Sequence, residues 1–307
     1  MNSTSAFPLL DAGCFGARLG PVENTLTARM LMSYAATLAA TADVYLNDLR
    51  PDGIVGLPPF LVSLEWQIMN GTPYRKAVAM DDAGMWACLH VQQDSTFHRV
   101  LRPGMKLITV GEICGVRRTR LGAYVATRLT TNLAQTGEAV AESWFCGIFL
   151  DRFPDGPDMQ SDRPPELAKV AFSTTPRPLL RVDRALPHLY TEAASIWNPI
   201  HTERRRAKEA GLSDTLLHGT CTWAAAGSYL IDTCGEGDPA RMRRLGGRFA
   251  NPAPVGCQLF MQVEPESAFA QHDVQRFQVT DQDGRVIIAD GYARFGEPEH
   301  DHLSIIA

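Results

Sequence analysis

One short polar segment divides the 307-residue chain nearly in half and separates two stretches that follow the same order. Arg152–Pro165 is rich in Pro, Gly and Asp and has almost no apolar periodicity, which indicates a linker. On each side of it, helix-like apolar sequence comes first and several strand-like runs follow. We therefore expect two domains, 1–151 and 169–307, joined by a linker at 152–168.

Hydrophobic spacing predicts the main elements of both halves. Thr27–Leu46 and Val55–Met69 are predicted helices of the first half, and the second of these carries two prolines near its start. In the second half, helices are predicted at Leu189–Ser195, Thr202–Ala210 and Thr220–Asp232. The predicted strands are His90–Gln92, Lys106–Gly115, Ala123–Asn132, Val140–Leu150, Arg248–Ala250, Cys257–Val263, Asp273–Thr280 and Val286–Phe295. A buried helix followed by antiparallel strands, given twice, favours an α+β fold in which each sheet covers its own helix.

Charge and composition narrow the classes of partner. The formal net charge of -5 argues against a nucleic-acid partner, which usually requires a basic face. No apolar run approaches the ~18 residues of a membrane-spanning helix, and Met1–Pro8 lacks the basic and apolar regions of a signal peptide. We expect a cytoplasmic protein without a membrane partner. No Cys or His set has the spacing of metal ligands, so we expect no metal site.

The residues that carry chemistry are grouped in the second half. Asn198-Pro199-Ile200-His201 is predicted to lie in a loop, and His218-Gly219 directly precedes an apolar helix. This pattern resembles the MaoC-like hydratase/dehydratase family, in which an Asp-x-Asn-Pro-x-His loop is followed about one helix later by a His-Gly pair. In the first half, Tyr34–Phe60 and Gln92–Leu107 resemble the same family more weakly, so the resemblance covers most of the chain.

The resemblance implies a tandem hotdog fold. Two antiparallel sheets would each wrap a long central helix, and the two units would be fused as an internal pseudo-dimer. It also implies a hydro-lyase that acts at the α,β position of an acyl thioester. Coenzyme A or a carrier-protein phosphopantetheine would be part of the substrate, with no other cofactor. Because two-hotdog chains often pair again, we expect a homodimer.

The resemblance also assigns roles to residues. His201 is the expected acid/base, since imidazole titrates near neutral pH. The Gly219 amide is the expected oxyanion donor, because a helix start presents free N–H groups. Asn198 is expected to orient the loop through side-chain hydrogen bonds. Further residues are expected near the substrate: Ile196, Trp197, His218, Arg204 and Arg205.

One position departs from the family pattern. The family places an aspartate five residues before the histidine, where this chain has Ile196. Three explanations are open: another carboxylate serves, His201 works alone with the oxyanion donor, or the site binds without catalysing. The carboxylates considered are Glu192, Glu203, Asp214, Asp43 and Asp48.

The departure keeps alternative functions open. An isomerase, another lyase or a thioesterase acting on a specialised-metabolite thioester is one alternative, because hotdog proteins host several chemistries. A non-catalytic hotdog binding subunit is the other. In the first half, Leu57 stands at the position of the oxyanion glycine, with Pro58 and Pro59 after it. That half is expected to be a scaffold that contributes room for the acyl chain.

Overall fold

A computed structural model of the chain describes residues 9–166, 172, 174–264 and 274–297. Both chain ends and part of the predicted linker, 167–168, lie outside the described residues. The strands of the first half are β1 (Leu9–Leu10), β2 (Arg18–Thr25), β3 (Cys88–Phe97), β4 (Lys106–Arg118), β5 (Gly122–Leu133), β6 (Ala139–Leu150), β7 (Phe153–Pro154) and β8 (Met159–Gln160). Its helices are α1 (Ala28–Thr37), α2 (Asp43–Leu46), α3 (Leu61–Met69), α4 (Thr72–Ala77) and α5 (Asp82–Trp86).

The second half follows the same plan with a longer central helix. Its helices are α6 (Leu186–Ala194), α7 (Arg204–Glu209) and α8 (Gly219–Cys234). Its strands are β9 (Arg177–Arg181), β10 (Leu216–Leu217), β11 (Met242–Phe249), β12 (Ala253–Pro254), β13 (Gln258–Val263), β14 (Val274–Asp281) and β15 (Val286–Phe295). Short 3₁₀ turns lie at 12–14, 58–60, 199–201 and 239–241.

The two half-sheets join edge to edge into one 11-stranded sheet. Its strand order is β2-β4-β5-β6-β3-β11-β15-β14-β13-β9, with β8 paired to β4. The seam is the antiparallel pair β3–β11, in which Gln93 faces Gly247. At this seam Arg244 donates two hydrogen bonds to Asp94, at 2.8 and 3.0 Å, and the Tyr292 hydroxyl donates a third at 3.1 Å. Residues of both halves therefore share one sheet as well as one core.

The core crosses the seam beneath the sheet. Its largest cluster contains side chains from both halves, among them Phe60, Trp223 and Leu245. The hydroxyls of Tyr34 on α1 and Tyr190 on α6 are 3.2 Å apart, with ring centroids 5.6 Å apart. No helix in the described part of the chain is long and apolar enough to cross a bilayer.

The first half departs from the predicted helices in two places. The predicted helix Thr27–Leu46 is broken, because Ala39 has a left-handed backbone with φ 55° between α1 and α2. The central helix of this half, α3, is only 9 residues long, against 16 for α8. Gly71 and Pro73 follow α3, and proline lacks the N–H that a continuing helix would need. The fold is thus a double hotdog whose two central helices differ in length.

The segment predicted as a linker packs against the first half. Phe153–Pro154 pairs in parallel with Leu9–Leu10, and Met159–Gln160 pairs with Gly115 and Val116 of β4. The predicted domain bounds, an end at 151 and a start at 169, stay a prediction. The strands of both halves form one continuous sheet, which marks no boundary between them.

Candidate active site

A cavity of about 280 Å³ lies between the two halves and contains the predicted catalytic loop. Its lining combines residues of α3 and β3 from the first half with residues of the 196–201 loop, the start of α8 and β11 from the second. Most of the lining is apolar, and it includes Val62, Trp66, Met69, Met85, Leu89, Phe145, Leu212, Phe249 and Ile287. The polar members of the lining are Glu65, Tyr74, His90, Gln93, Asn198, His201, His218, Thr220, Thr222 and Asn251.

His201 is held at the end of a short 3₁₀ turn by the residues before it. The Asn198 side chain caps this turn, since its Oδ1 accepts a hydrogen bond from the Ile200 amide at 3.2 Å. Pro199 occupies the first position of the turn, where its fixed φ suits helical backbone and no N–H is required. Asn198 and Pro199 thereby fix the position of the 3₁₀ turn, and with it the backbone position of His201.

The imidazole of His201 is oriented with one nitrogen available. Its Nδ1 lies 2.9 Å from the carbonyl oxygen of Leu216 in β10. Because a carbonyl only accepts, Nδ1 must carry the proton of the neutral ring, which leaves an unprotonated Nε2. Burial lowers the pKa of His201 to about 4, against a smaller opposing effect of the Leu216 hydrogen bond. The ring is therefore neutral at neutral pH and can accept a proton at Nε2.

His218 packs directly against His201. The two imidazoles are stacked, with centroids 3.7 Å apart and planes at 24°. Nε2 of His218 lies 3.2 Å from the Ile196 carbonyl and 3.3 Å from the Thr191 hydroxyl, so Nε2 donates to that carbonyl. Burial, and secondarily the neighbouring His201, lower the pKa of His218 well below its usual value. His218 thus supports the His201 ring face and ties it to the 196 backbone.

Gly219 is the first residue of α8 and lines the cavity. An amide at this position has no acceptor within its own helix and lies at the positive end of the helix dipole. A Cβ at Gly219 would meet the Phe249 ring at 2.9–3.3 Å, so a larger residue would have to displace the ring or the helix start. The arrangement suits an oxyanion that approaches the helix end beside His201.

None of the carboxylates considered from the sequence lines this cavity. Glu192, Glu203, Asp43 and Asp48 are exposed at the surface. Asp214 instead accepts a hydrogen bond from Arg204 at 3.0 Å. Ile196 itself is 5% exposed and lines the cavity with an apolar side chain. The expectation that one of these five supplies the missing carboxylate therefore finds no support in the lining.

The structure places a different carboxylate in the cavity, and sequence reasoning missed it. Glu65 on α3 is 2% exposed, and its Oε2 accepts a hydrogen bond from the Gln93 side chain at 3.0 Å. Burial raises the pKa of Glu65 to about 7, with smaller opposing effects of hydrogen bonds from Ser143 and Gln93. The sequence does contain a feature that could have identified this residue, because Glu65 is the single charged residue in the apolar run Leu61–Met69. The first half, expected to be a scaffold, thus adds ionisable groups to the cavity.

Other predicted substrate-side residues lie outside the cavity lining. Trp197 is half exposed and packs edge-on against Trp86, with centroids 6.5 Å apart. Arg204 and Arg205 lie on the exposed face of α7, which follows the His201 loop. Within the described ranges, no group of three or more His, Cys, Asp or Glu side chains could hold a metal ion.

Two family models match different parts of the chain. Residues 172–285 match the MaoC like domain, and residues 14–143 match the FAS1-like, dehydratase domain region. The 3-hydroxyacyl-thioester dehydratase Y of Mycobacterium tuberculosis is 29% identical, over 93% of this chain and 98% of the relative.

Two solved structures share the architecture. A MaoC-like dehydratase from Phytophthora capsici has a TM-score of 0.76 at 18% identity, covering 92% of this chain and 97% of that one. A conserved hypothetical protein of Mycobacterium tuberculosis, described as a double hotdog fold, has a TM-score of 0.60 at 14% identity, covering 92% and 95%. The chain therefore contains a MaoC like domain at residues 172–285 and a FAS1-like, dehydratase domain region at residues 14–143, within a double hotdog fold.

Proposed function

We propose that this chain is a hydro-lyase that adds or removes water at the α,β position of an acyl thioester. The observation that carries the proposal is that an imidazole with an available Nε2 and the amide end of α8 line one cavity. The MaoC-like match and the thioester dehydratase relative support the same reaction class.

The proposed chemistry uses the two groups for separate tasks. In the dehydration direction, Nε2 of neutral His201 removes the α-proton of the 3-hydroxyacyl thioester. The thioester carbonyl then gains negative charge, which the Gly219 amide stabilises together with the α8 dipole. Asn198 contributes by holding the loop at its 3₁₀ turn, so that the imidazole needs little reorganisation.

The lining supports an acyl group as the part that enters. Trp66, Met69, Met85 and Phe145 offer an apolar wall suited to a hydrocarbon chain. The carrier, coenzyme A or phosphopantetheine, would extend toward the surface, where Arg204 and Arg205 could pair with phosphates. We propose that the enzyme requires no cofactor beyond this carrier. We also propose that it is a cytoplasmic homodimer.

The test is turnover of a panel of enoyl-CoA and 3-hydroxyacyl-CoA substrates of increasing chain length, followed by absorbance of the conjugated thioester and by mass. We expect a gain or loss of one water at the β-carbon. His201→Ala should lower kcat/KM by about 10²- to 10⁴-fold, the usual contribution of acid–base catalysis. His188→Ala is the matched control, because His188 is exposed on α6, away from the cavity.

The alternative functions give different products in the same assay. Double-bond migration without water would indicate an isomerase, and free CoA without hydration would indicate a thioesterase. Full activity in His201→Ala would remove the acid/base assignment. A wild-type chain that turns over no thioester would support a binding subunit instead.

A further inference from the structure

The cavity that contains the His201 loop is also lined by a buried carboxyl group from the other half of the chain. Glu65 projects from the short central helix α3 of the first half, whereas His201 and Gly219 belong to the second. The Gln93 amide donates to Glu65 Oε2 and to the Ser95 hydroxyl, each at 3.0 Å. The Ser143 and Ser95 hydroxyl oxygens are 2.8 Å apart. This network holds one face of the carboxyl group in a fixed orientation.

The surroundings of Glu65 do not fit a purely structural carboxylate. Buried carboxylates are ordinarily paired with a cation, because an isolated charge is expensive to bury. Among the described residues, no Lys, Arg or His forms an ion pair with Glu65, and the cavity lining contains no Lys or Arg. Its neighbours on α3, Val62 and Trp66, are apolar cavity walls. A buried carboxyl group without a cationic partner, in the lining of a substrate-sized cavity, is typical of a functional site.

We propose that Glu65 is the second catalytic group, the acid that protonates the departing β-hydroxyl while His201 takes the α-proton. This inference rests on the proposed hydro-lyase function and assigns within it the part that Ile196 cannot play. The acid and the base would then come from different halves of one chain.

The step balances without an additional reactant. The α C–H bond breaks, its proton passes to His201 Nε2, and its electron pair forms the α,β double bond. The β C–O bond breaks, and the departing oxygen takes the proton of the Glu65 carboxyl group to leave as water. Glu65 ends as carboxylate and His201 as imidazolium, and one proton transfer between them, through the released water, restores the starting state. Hydration of the enoyl thioester is the same sequence reversed.

The protonation states suit these roles. The titratable groups that line the cavity are Glu65, Tyr74, Cys88, His90, His201 and His218. Burial raises the pKa of Cys88 to about 12 and that of Tyr74 well above its usual value. Burial lowers the pKa of His90 to about 3, and the pKa of His218 is also lowered. Glu65, with its pKa raised to about 7, is thus the lining group that is a proton donor at neutral pH and becomes a carboxylate just above it.

The experiment compares the full-length wild type with Glu65→Gln, using the thioester that the wild type converts fastest. Gln keeps the shape and can still accept from Gln93, but it cannot deliver a proton. We expect kcat to fall by about 10²- to 10⁴-fold. The wild-type pH profile should lose activity as pH rises through about 7, where Glu65 deprotonates, and Glu65→Gln should lack that alkaline limb. Glu192→Gln, an exposed carboxylate on α6, is the matched control and should retain the wild-type profile.

A second readout is independent of turnover. A buried acid with a raised pKa destabilises the fold as pH rises from about 4.5 to about 7, because the unfolded chain ionises first. Glu65→Gln should therefore have a higher Tm than wild type at pH 8, and the difference should shrink at pH 4.5.

Three outcomes separate the two proposals. An active wild type with Glu65→Gln equally active would overturn the Glu65 assignment and leave the hydro-lyase function standing. A Glu65→Gln variant that is folded but keeps the alkaline limb would do the same. A wild type that neither hydrates nor dehydrates any thioester would overturn both.

Discussion

The imidazoles of His201 and His218 are stacked with centroids 3.7 Å apart, and His218 in turn donates to the Ile196 carbonyl. Two neutral rings can occupy this geometry, whereas two protonated rings would repel at that distance. The stack therefore fixes the plane of His201 while its Nδ1 contact to Leu216 fixes its rotation. His218 is best understood as the residue that positions the base.

A pair of variants separates the ring of His218 from its hydrogen bond. His218→Phe keeps a stacking surface, and we expect a kcat loss of about tenfold, well below that of His201→Ala. His218→Gln keeps a donor for the Ile196 carbonyl but loses the stack, so His201 should become less ordered. Steady-state kinetics on both variants, with Tm as the folding check, measure the two contributions. A His218→Phe loss as large as that of His201→Ala would mean that His218 itself exchanges protons with the substrate.

Acid should destabilise the fold through the buried imidazoles. His201 has a folded pKa of about 4 against an ordinary 6.5, so between these values the unfolded chain binds the extra proton. The free energy of unfolding should fall as pH drops from 6.5 toward 4, by about 3 kcal/mol from His201 alone. Glu65 titrates with the opposite sign, so the informative quantity is the difference between wild type and His201→Phe.

Urea denaturation across this pH range measures that difference. The wild type should lose more stability on acidification than His201→Phe does, while His188→Phe, at an exposed position, should follow the wild type. Parallel pH dependences for wild type and His201→Phe would show that folding does not lower the pKa of His201.

Gly219→Ala should impair catalysis through a collision rather than through loss of a donor. The added Cβ would meet the Phe249 ring at 2.9–3.3 Å, which must displace either the ring or the start of α8. We expect kcat to fall about tenfold to a hundredfold, since small misplacements of catalytic groups have effects of this size. Gly219→Ala should lower kcat less in a Phe249→Leu background than in the wild type, because the smaller side chain leaves room for the added Cβ. Additive effects of the two substitutions would argue against the collision.

A carboxylate restored at position 196 should compensate for the loss of Glu65. Ile196 lines the same cavity as His201, so Ile196→Asp in a Glu65→Gln background returns an acidic group to the site. We expect kcat/KM of the double variant to exceed that of Glu65→Gln, at some cost in Tm because residue 196 is only 5% exposed. Ile196→Asn in the same background is the control. Equal recovery with Ile196→Asn would show that a hydrogen-bonding side chain, rather than an ionisable carboxyl group, restores the activity.

The parts of the site that could be predicted from sequence are those encoded within one short stretch. Asn198, His201 and Gly219 follow a local motif, and the structure brings all three to one cavity. Strand β15 matches its predicted bounds, Val286–Phe295, because long apolar sequence bounded by turn residues has a strong local signal. Glu65 and Gln93 could not be placed, because their proximity to the His201 loop depends on how the two halves pack across the seam. The break at Ala39 was likewise hidden, since alanine is a strong helix former by propensity.

Joining both hotdogs through β3 and β11 in one polypeptide has a consequence for how such a site can diverge. In a pair of identical subunits every substitution occurs twice, so an acid gained on one side is also imposed on the other. A fused pair is free of that symmetry: one unit can retain the loop with the imidazole while its neighbour acquires a carboxyl group and gives up its own loop. The difference in length between the short α3 and the long α8 is consistent with two halves that have taken on different roles.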